Sequence, residues 1–303
     1  MSLYLKHRPK ELDAIRGNTE VVASLEGMLQ KPETCPHSFL LHGDTGTGKT
    51  TIGRIIAKRL DCNGADLREL NSADFRGIDT IREVRKQIQF KPLEGTNRAW
   101  IIDECHKLTN DAQNALLKML EDTPQHVYFI LCTTEPQKLL KTIKGRCSTF
   151  QLKALTEKEM FGLLRSVVKA EEENMPRTIF QQIYQDSFGL PRNALQILDQ
   201  VLRVEPEQRL ETAKRSAEKQ SQSIELCRAL IGNKSWKTVQ GILNGLKEQD
   251  AEGIRRHVIG YAQAVLLRGD NPRAGLVLEE FIDPFYNSGF PHLVYACYSV
   301  IKN

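Results

Sequence analysis

A chain of 303 residues exceeds what one small core needs, and its 40% hydrophobic and 26% charged residues exclude a disordered segment in favour of two or three globular domains. A formal charge of +4 is too small to make the molecule a polycation, so any contact with nucleic acid must be a local patch. Seven cysteines without a CxxC pair give no disulfide framework or zinc site, and neither an apolar leader at MSLYLKHRPK nor a run longer than VYFILC (127–132) offers a secretion signal or a membrane span, so a reducing, intracellular setting is expected.

In chain order, the first strand signal is FLLHG (39–43), which runs into GDTGTGKT (43–50) and then into the helical pattern TIGRIIAKRL (51–60). The eight residues fit G-x-x-x-x-G-K-[ST] between a strand and a helix, the context a phosphate-binding loop requires. The backbone of Gly43, Asp44, Thr45, Gly46, Thr47 and Gly48 is expected to turn N–H groups onto the β and γ phosphates of a nucleotide, with Thr51 following in the helix. Lys49 adds a point charge, the Thr50 hydroxyl can ligate Mg²⁺, and the helix N-terminus strengthens the anion site.

LREL (67–70) reads as a second strand and FRGIDTIREVRKQIQF (75–90) as a helix. In that helix Ile78, Ile81, Val84 and Ile88 form an apolar stripe, while Arg82, Arg85 and Lys86 lie on another face, which by itself reads as a solvated charged surface. AWIIDE (99–104) is a third strand ending in two carboxylates: Asp103 to hold the metal shell and Glu104 to polarise an attacking water. Acidic pairs at strand ends are common, and the phosphate loop gives this one its meaning. Cys105 and His106 lack metal-ligand spacing and read as packing or interface residues. VYFILCTT (127–134) and TFQL (149–152) complete a set of short apolar runs separated by helical segments, the pattern of a parallel α/β sheet.

From Thr156 the strand signals stop. TEKE is a capping box with Thr156 as N-cap and Glu159 at N3, and an all-helical region begins there. The stretch VEPEQRLETAKRSAEKQSQS (204–223) is polar enough to be a linker or a solvated helix. Beyond it Trp236, Val239, Leu243 and Leu246, then Ile254, Val258, Tyr261, Ala262, Val265 and Leu266, recur at helical spacing, so a helical bundle is expected. The expected division is a P-loop α/β domain over 1–154, a small helical domain over 155–203, a linker over 204–223 and an all-α domain over 224–303.

Longer stretches carry a family resemblance. HRPKELDAIRGN (7–18) and ELNSADFRGIDTIREVR (69–85) resemble the small subunits of replication factor C, and IIDECHKLTNDAQNALLKMLEDTPQHVYFILCTTEPQKLLKTIKGRC (101–147) resembles the gamma/tau subunit of bacterial DNA polymerase III. Both are AAA+ clamp-loader ATPases. The likeness covers about residues 4–200, and the C-terminal bundle resembles a clamp-loader collar. The gamma/tau proteins carry a four-cysteine zinc insert after the first helix, whereas here Cys62 stands alone; the mixture leaves the source open, a phage included.

The resemblance implies ATP and Mg²⁺ as ligands and assigns several roles. Thr134 falls at the sensor-1 position, where the bland reading is a strand-end threonine. Arg192, in GLPRNALQIL with Gly189 three residues before it, falls at the sensor-2 position and would reach the γ-phosphate of its own subunit. Arg8 and Pro9, with the backbone around Ile15 and Arg16, would close on the adenine, His7 standing where the family has an aromatic residue. Arg146 matches the arginine of the family's Ser-Arg-Cys motif, which projects into the neighbouring subunit's site, and Gly145 in place of serine is expected to loosen the helix end that presents it. Arg82, Arg85 and Lys86 would face DNA phosphates, and Arg76 would restrain the catalytic glutamate until DNA arrives.

On this reading the chain is an ATPase motor subunit of a sliding-clamp loader, without polymerase chemistry of its own. It would act in a pentameric ring of identical or different subunits on a clamp and primer-template DNA, in the cytoplasm or nucleoid, or in the host cytoplasm if phage-encoded. Two rivals stay open: a catalytically silent structural subunit, and another AAA+ DNA machine such as a branch-migration motor or helicase loader.

Overall fold

The structure, a computed structural model, describes residues 1–72, 77–213, 222–267, 269–285 and 288–302. By packing, the chain divides into two units, one formed by Met1–Val167 with Gly189–Leu195 and the other by Val168–Phe188 with Gln196–Asn303.

The first unit is built on a parallel sheet of β1 (Ser38–His42), β2 (Leu67–Asn71), β3 (Arg98–Asp103), β4 (Val127–Thr133) and β5 (Ser148–Gln151), in the order β2-β3-β4-β1-β5. All five expected strands are present. Every residue of β4 is buried, as a central strand covered on both faces requires. Alternation then sorts the side chains between two cores. Phe39, Leu41, Ile101, Ile130 and Cys132 pack on one face with α2 (Thr19–Leu29) and α3 (Lys49–Arg59). Leu40, Trp100, Ile102, Phe129 and Leu131 pack on the other with α4 (Ile78–Gln87) and α5 (Asn110–Glu121). The edge strand β2 differs: its Leu67 and Leu70 are half-buried, and its exposed Glu69 takes a two-pronged ion pair from Arg54 at 2.6 and 2.7 Å.

The TEKE box forms as its sequence implies. The Glu159 carboxylate accepts from the Thr156 N–H at 2.8 Å, and the Thr156 hydroxyl accepts from the Glu159 N–H at 3.4 Å, opening the helix Glu157–Ala170.

In the second unit, helices Gln222–Ile231, Trp236–Gly245, Ala251–Leu266, Pro272–Phe281 and Gly289–Lys302 surround one apolar core. Val239, Leu243, Leu246, Ile254, Val258 and Ala262 are buried in it, with Trp236, Tyr261, Val265 and Leu266 packed at its margin. Side chains at the helix starts hold three of these helices: Ser235, Asp250 and Asn271 each accept from N–H groups of the first turn. Of the polar stretch 204–223, a short 3₁₀ turn spans Pro206–Gln208, and residues 214–221 lie outside the described residues.

Candidate active site

The phosphate loop joins β1 to α3 at the carboxyl end of the sheet, where a parallel α/β fold leaves its ligand crevice. The Thr47 hydroxyl donates to the Asp44 carbonyl at 2.8 Å and braces the turn. Lys49 is buried, and its ammonium donates to the carbonyls of Gly43 and Asp44 at 2.9 and 3.0 Å. Burial presses its pKa below the usual lysine value, against the pull of nearby Glu104, Cys132 and Asp103. The loop thus stores a desolvated cation at the N-terminus of α3 whose direct hydrogen-bond acceptors are two neutral carbonyls, a good match for an anion.

β3 brings its carboxylates to the same place. The Thr50 hydroxyl donates to Asp103 Oδ2 at 2.8 Å, joining the two residues expected to share a metal shell. The next residue, Glu104, has a left-handed backbone (φ 50°), and its N–H donates to its own neighbour's Asp103 Oδ1 at 3.0 Å. That turn swings the Glu104 side chain off the line of the strand. Because β3 pairs with β4, the end of β4 lies alongside, and Thr134 donates its hydroxyl to Glu104 Oε2 at 3.3 Å.

His106 also joins this group, which the sequence reading missed. Its ring packs against Thr133 Oγ1 at 3.0 Å, Glu104 Oε2 at 3.4 Å and Glu135 Oε1 at 3.4 Å. Burial lowers its pKa, with Glu104 and Glu135 opposing. The available signal was its place two residues after Glu104, at a turn that folds back towards the strand ends.

Arg8, Pro9, Ile15 and Arg16 line one cavity with Gly46, Thr47, Gly48 and Thr51, so the expected base pocket and the phosphate loop are continuous. Arg192 lines it too, and its backbone N–H donates to the Gly46 carbonyl at 3.4 Å. No ion pair or side-chain hydrogen bond holds its guanidinium among the described residues. Gly189 makes this placement possible. It has φ +71°, its carbonyl accepts the Leu155 N–H at 2.8 Å, and a Cβ there would lie 2.5 Å from the Leu155 carbonyl oxygen.

Arg146 stands apart from this site. It follows the helix Lys141–Lys144, is exposed, and pairs with Glu121 at the end of α5 at 2.5 Å. Gly145 before it has ordinary right-handed dihedrals (φ −68°, ψ −14°), and a Cβ would sit 3.6 Å from the nearest atom, Lys141 O. Nothing in the backbone requires glycine there.

Arg82, Arg85 and Lys86 lie exposed along α4, as expected, while Ile81, Val84 and Ile88 are buried. The face is mixed, since Asp79 and Glu83 line the same shallow groove and Asp79 pairs with Arg82 at 2.9 Å. Arg76 lies outside the described residues.

The fold and the loop define the class: a parallel α/β domain with a phosphate-binding loop. The family model for the DNA polymerase III delta subunit matches residues 64–156. The chain is 34% identical to the tau subunit of DNA polymerase III from Bacillus subtilis over 66% of its length, covering 39% of that protein. It is 32% identical to the tau subunit from Escherichia coli over 65% of its length, covering 34% of that protein. The chain therefore resembles the gamma/tau subunits of DNA polymerase III, and spans well under half the length of these relatives. Among solved structures, the Thermotoga maritima RuvB Holliday junction branch migration motor shares the fold, with a TM-score of 0.61 at 21% identity over 74% of this chain and 79% of that one.

Proposed function

We propose that the chain is an ATPase motor subunit of a DNA sliding-clamp loader. The observation that carries the hydrolytic part is the 2.8 Å hydrogen bond between Thr50 and Asp103, which sets a hydroxyl and a carboxylate side by side next to Lys49, with Glu104 one residue further on. This is a hard oxygen donor set and fits Mg²⁺. When bound, the metal would supply charge neutralisation for the β and γ phosphates.

The chain's own residues do the rest. Lys49 exchanges its two carbonyl acceptors for phosphate oxygens, and the loop N–H groups fix the phosphates. Glu104 accepts hydrogen from the attacking water and aligns it, and Thr134 holds that carboxylate. Arg192 contacts the γ-phosphate from the segment 155–203, which acts as the lid, while 224–303 forms the collar that joins subunits. Arg146 leaves Glu121 for the neighbouring subunit's site; an arginine supplied in this way accelerates phosphoryl transfer by about 10³ to 10⁵. ATP binding would favour a pentameric ring that opens the clamp, and hydrolysis would release it on primer-template DNA, in the cytoplasm or nucleoid. Arg82, Arg85 and Lys86 would hold phosphates in a sequence-independent, salt-sensitive way.

The test is ATP hydrolysis by the assembled complex with Mg²⁺, a ring clamp and primed DNA. Stimulation by clamp and DNA, abolished by Lys49→Ala, is expected. Hydrolysis unaffected by Lys49→Ala would make the chain a silent structural subunit. Migration of a four-way junction with no clamp dependence would make it a motor of the RuvB kind instead.

A further inference from the structure

We propose that His106 is a positioning residue for Glu104, a wall that confines the carboxylate beside Thr134 and directs its free oxygen to the nucleotide. The inference rests on the reading of Glu104 as the group that polarises water.

The ring is held by one hydrogen bond to the sheet and by close carboxylates on either side. Its side chain is only 5% exposed. Nε2 faces Glu135 Oε1 at 3.4 Å, and an ionised carboxylate only accepts, so Nε2 carries the hydrogen. Nδ1 lies 3.0 Å from Thr133 Oγ1, which already accepts the Glu135 N–H at 3.0 Å and so has its own proton to give. The hydrogen bonds run in series from Glu135 N–H to Thr133 Oγ1 and from Thr133 O–H to Nδ1, with Nε2 left facing the Glu135 carboxylate at 3.4 Å. Thr133 is fully buried at the end of β4, so the ring is fixed to the sheet.

With Nδ1 committed to the threonine hydroxyl, it has no hydrogen for Glu104 Oε2, which lies 3.4 Å away. Two acceptors face each other, and Oε2 gains by turning to its donor, Thr134 Oγ1, at 3.3 Å. Thr134 therefore attracts the carboxylate and His106 bars the far side. Without the ring, Glu104 would gain rotamers that carry it off the site, at a cost in rate rather than in nucleotide affinity.

Steady-state hydrolysis by the assembled complex gives the first readout. His106→Ala should lower kcat by about 10-fold or more, with KM for ATP unchanged within about 2-fold. His106→Asn, whose amide oxygen can accept from Thr133, should recover part of the loss. An unchanged kcat in His106→Ala, or parallel losses of kcat and nucleotide affinity in a folded protein, overturns the proposal. The second readout leaves the ring in place: the full chain labelled with ¹⁵N-histidine should show His106 as the Nε2–H tautomer, and Glu104→Gln, which removes the negative charge 3.4 Å from Nδ1, should shift the Nδ1 resonance. A spectrum unmoved by Glu104→Gln also overturns it. This spectrum needs no hydrolysis, so a chain inactive in every assembly would sink the ATPase reading while the His106–Glu104 contact is judged separately.

Discussion

Replacing Asp66 by asparagine removes the negative charge from a carboxylate on which five N–H groups converge. Oδ2 accepts from the backbone of Leu93, Glu94 and Gly95 at 2.7, 2.7 and 3.2 Å, and Oδ1 accepts from Arg98 Nη2 and Nε at 2.9 and 3.3 Å. An amide has one accepting oxygen, so in either orientation its NH₂ meets donors. Arg98 is buried too, and loses its counter-charge. Breaking a buried pair in this way costs about 3–5 kcal/mol. The titration gives a second estimate. Burial would raise the Asp66 pKa, but the N–H of Glu94, the Arg98 guanidinium and the N–H of Gly95 and Leu93 outweigh it and bring it from 3.8 to about 2. That fall corresponds to roughly 2 kcal/mol. Because the folded pKa is depressed, the contribution is present above about pH 4 and is lost as the pH falls to about 2. Urea unfolding should show Asp66→Asn less stable by at least about 2 kcal/mol at pH 7, with the gap from wild type shrinking below pH 4. A gap under about 1 kcal/mol at pH 7, or one that does not narrow in acid, would refute the reasoning.

Thr50→Ala removes the donor to Asp103, and nucleotide affinity, followed with a fluorescent ATP analogue, should lose its dependence on Mg²⁺ while the fold is retained. Gly189→Ala puts a Cβ against the Leu155 carbonyl in a left-handed backbone; a loss of about 2 kcal/mol in thermal unfolding and a weakened ATPase are expected, and a neutral result would mean that the backbone there relaxes freely. Glu121→Gln releases Arg146 from an ion pair exposed on both sides, so stability should change by less than about 1 kcal/mol. A larger loss would make that pair structural rather than a resting place for the arginine.

The parts legible in the sequence were those written over short spans. The phosphate loop is eight consecutive residues with its strand and helix attached, the capping box is four, and the central strands declare themselves because a strand covered on both faces is apolar throughout. Thr134, Arg192 and Arg146 carry no such local mark; only the resemblance singled them out. His106 escaped because its partners, Glu104, Thr133 and Glu135, come from the ends of β3 and β4, and only the pairing of those strands brings them together. The Asp66–Arg98 pair was hidden for the same reason, its members standing 32 residues apart, Asp66 just before β2 and Arg98 at the start of the neighbouring β3. β2 was read from its leucines alone, yet its position at the sheet edge makes Glu69 and Arg68 as characteristic of it as Leu67 and Leu70.

The central claim is that each site is completed by a neighbour, and mixing two defective proteins tests it most directly. Lys49→Ala lacks the phosphate-loop cation and Arg146→Ala lacks the arginine offered across the interface, so each alone should be inactive in the assembled complex. If Arg146 acts on the neighbouring site, mixed assemblies rebuild some complete sites, and DNA-stimulated ATP hydrolysis should partly return. No recovery in assemblies shown by native mass measurement to contain both proteins would contradict the account.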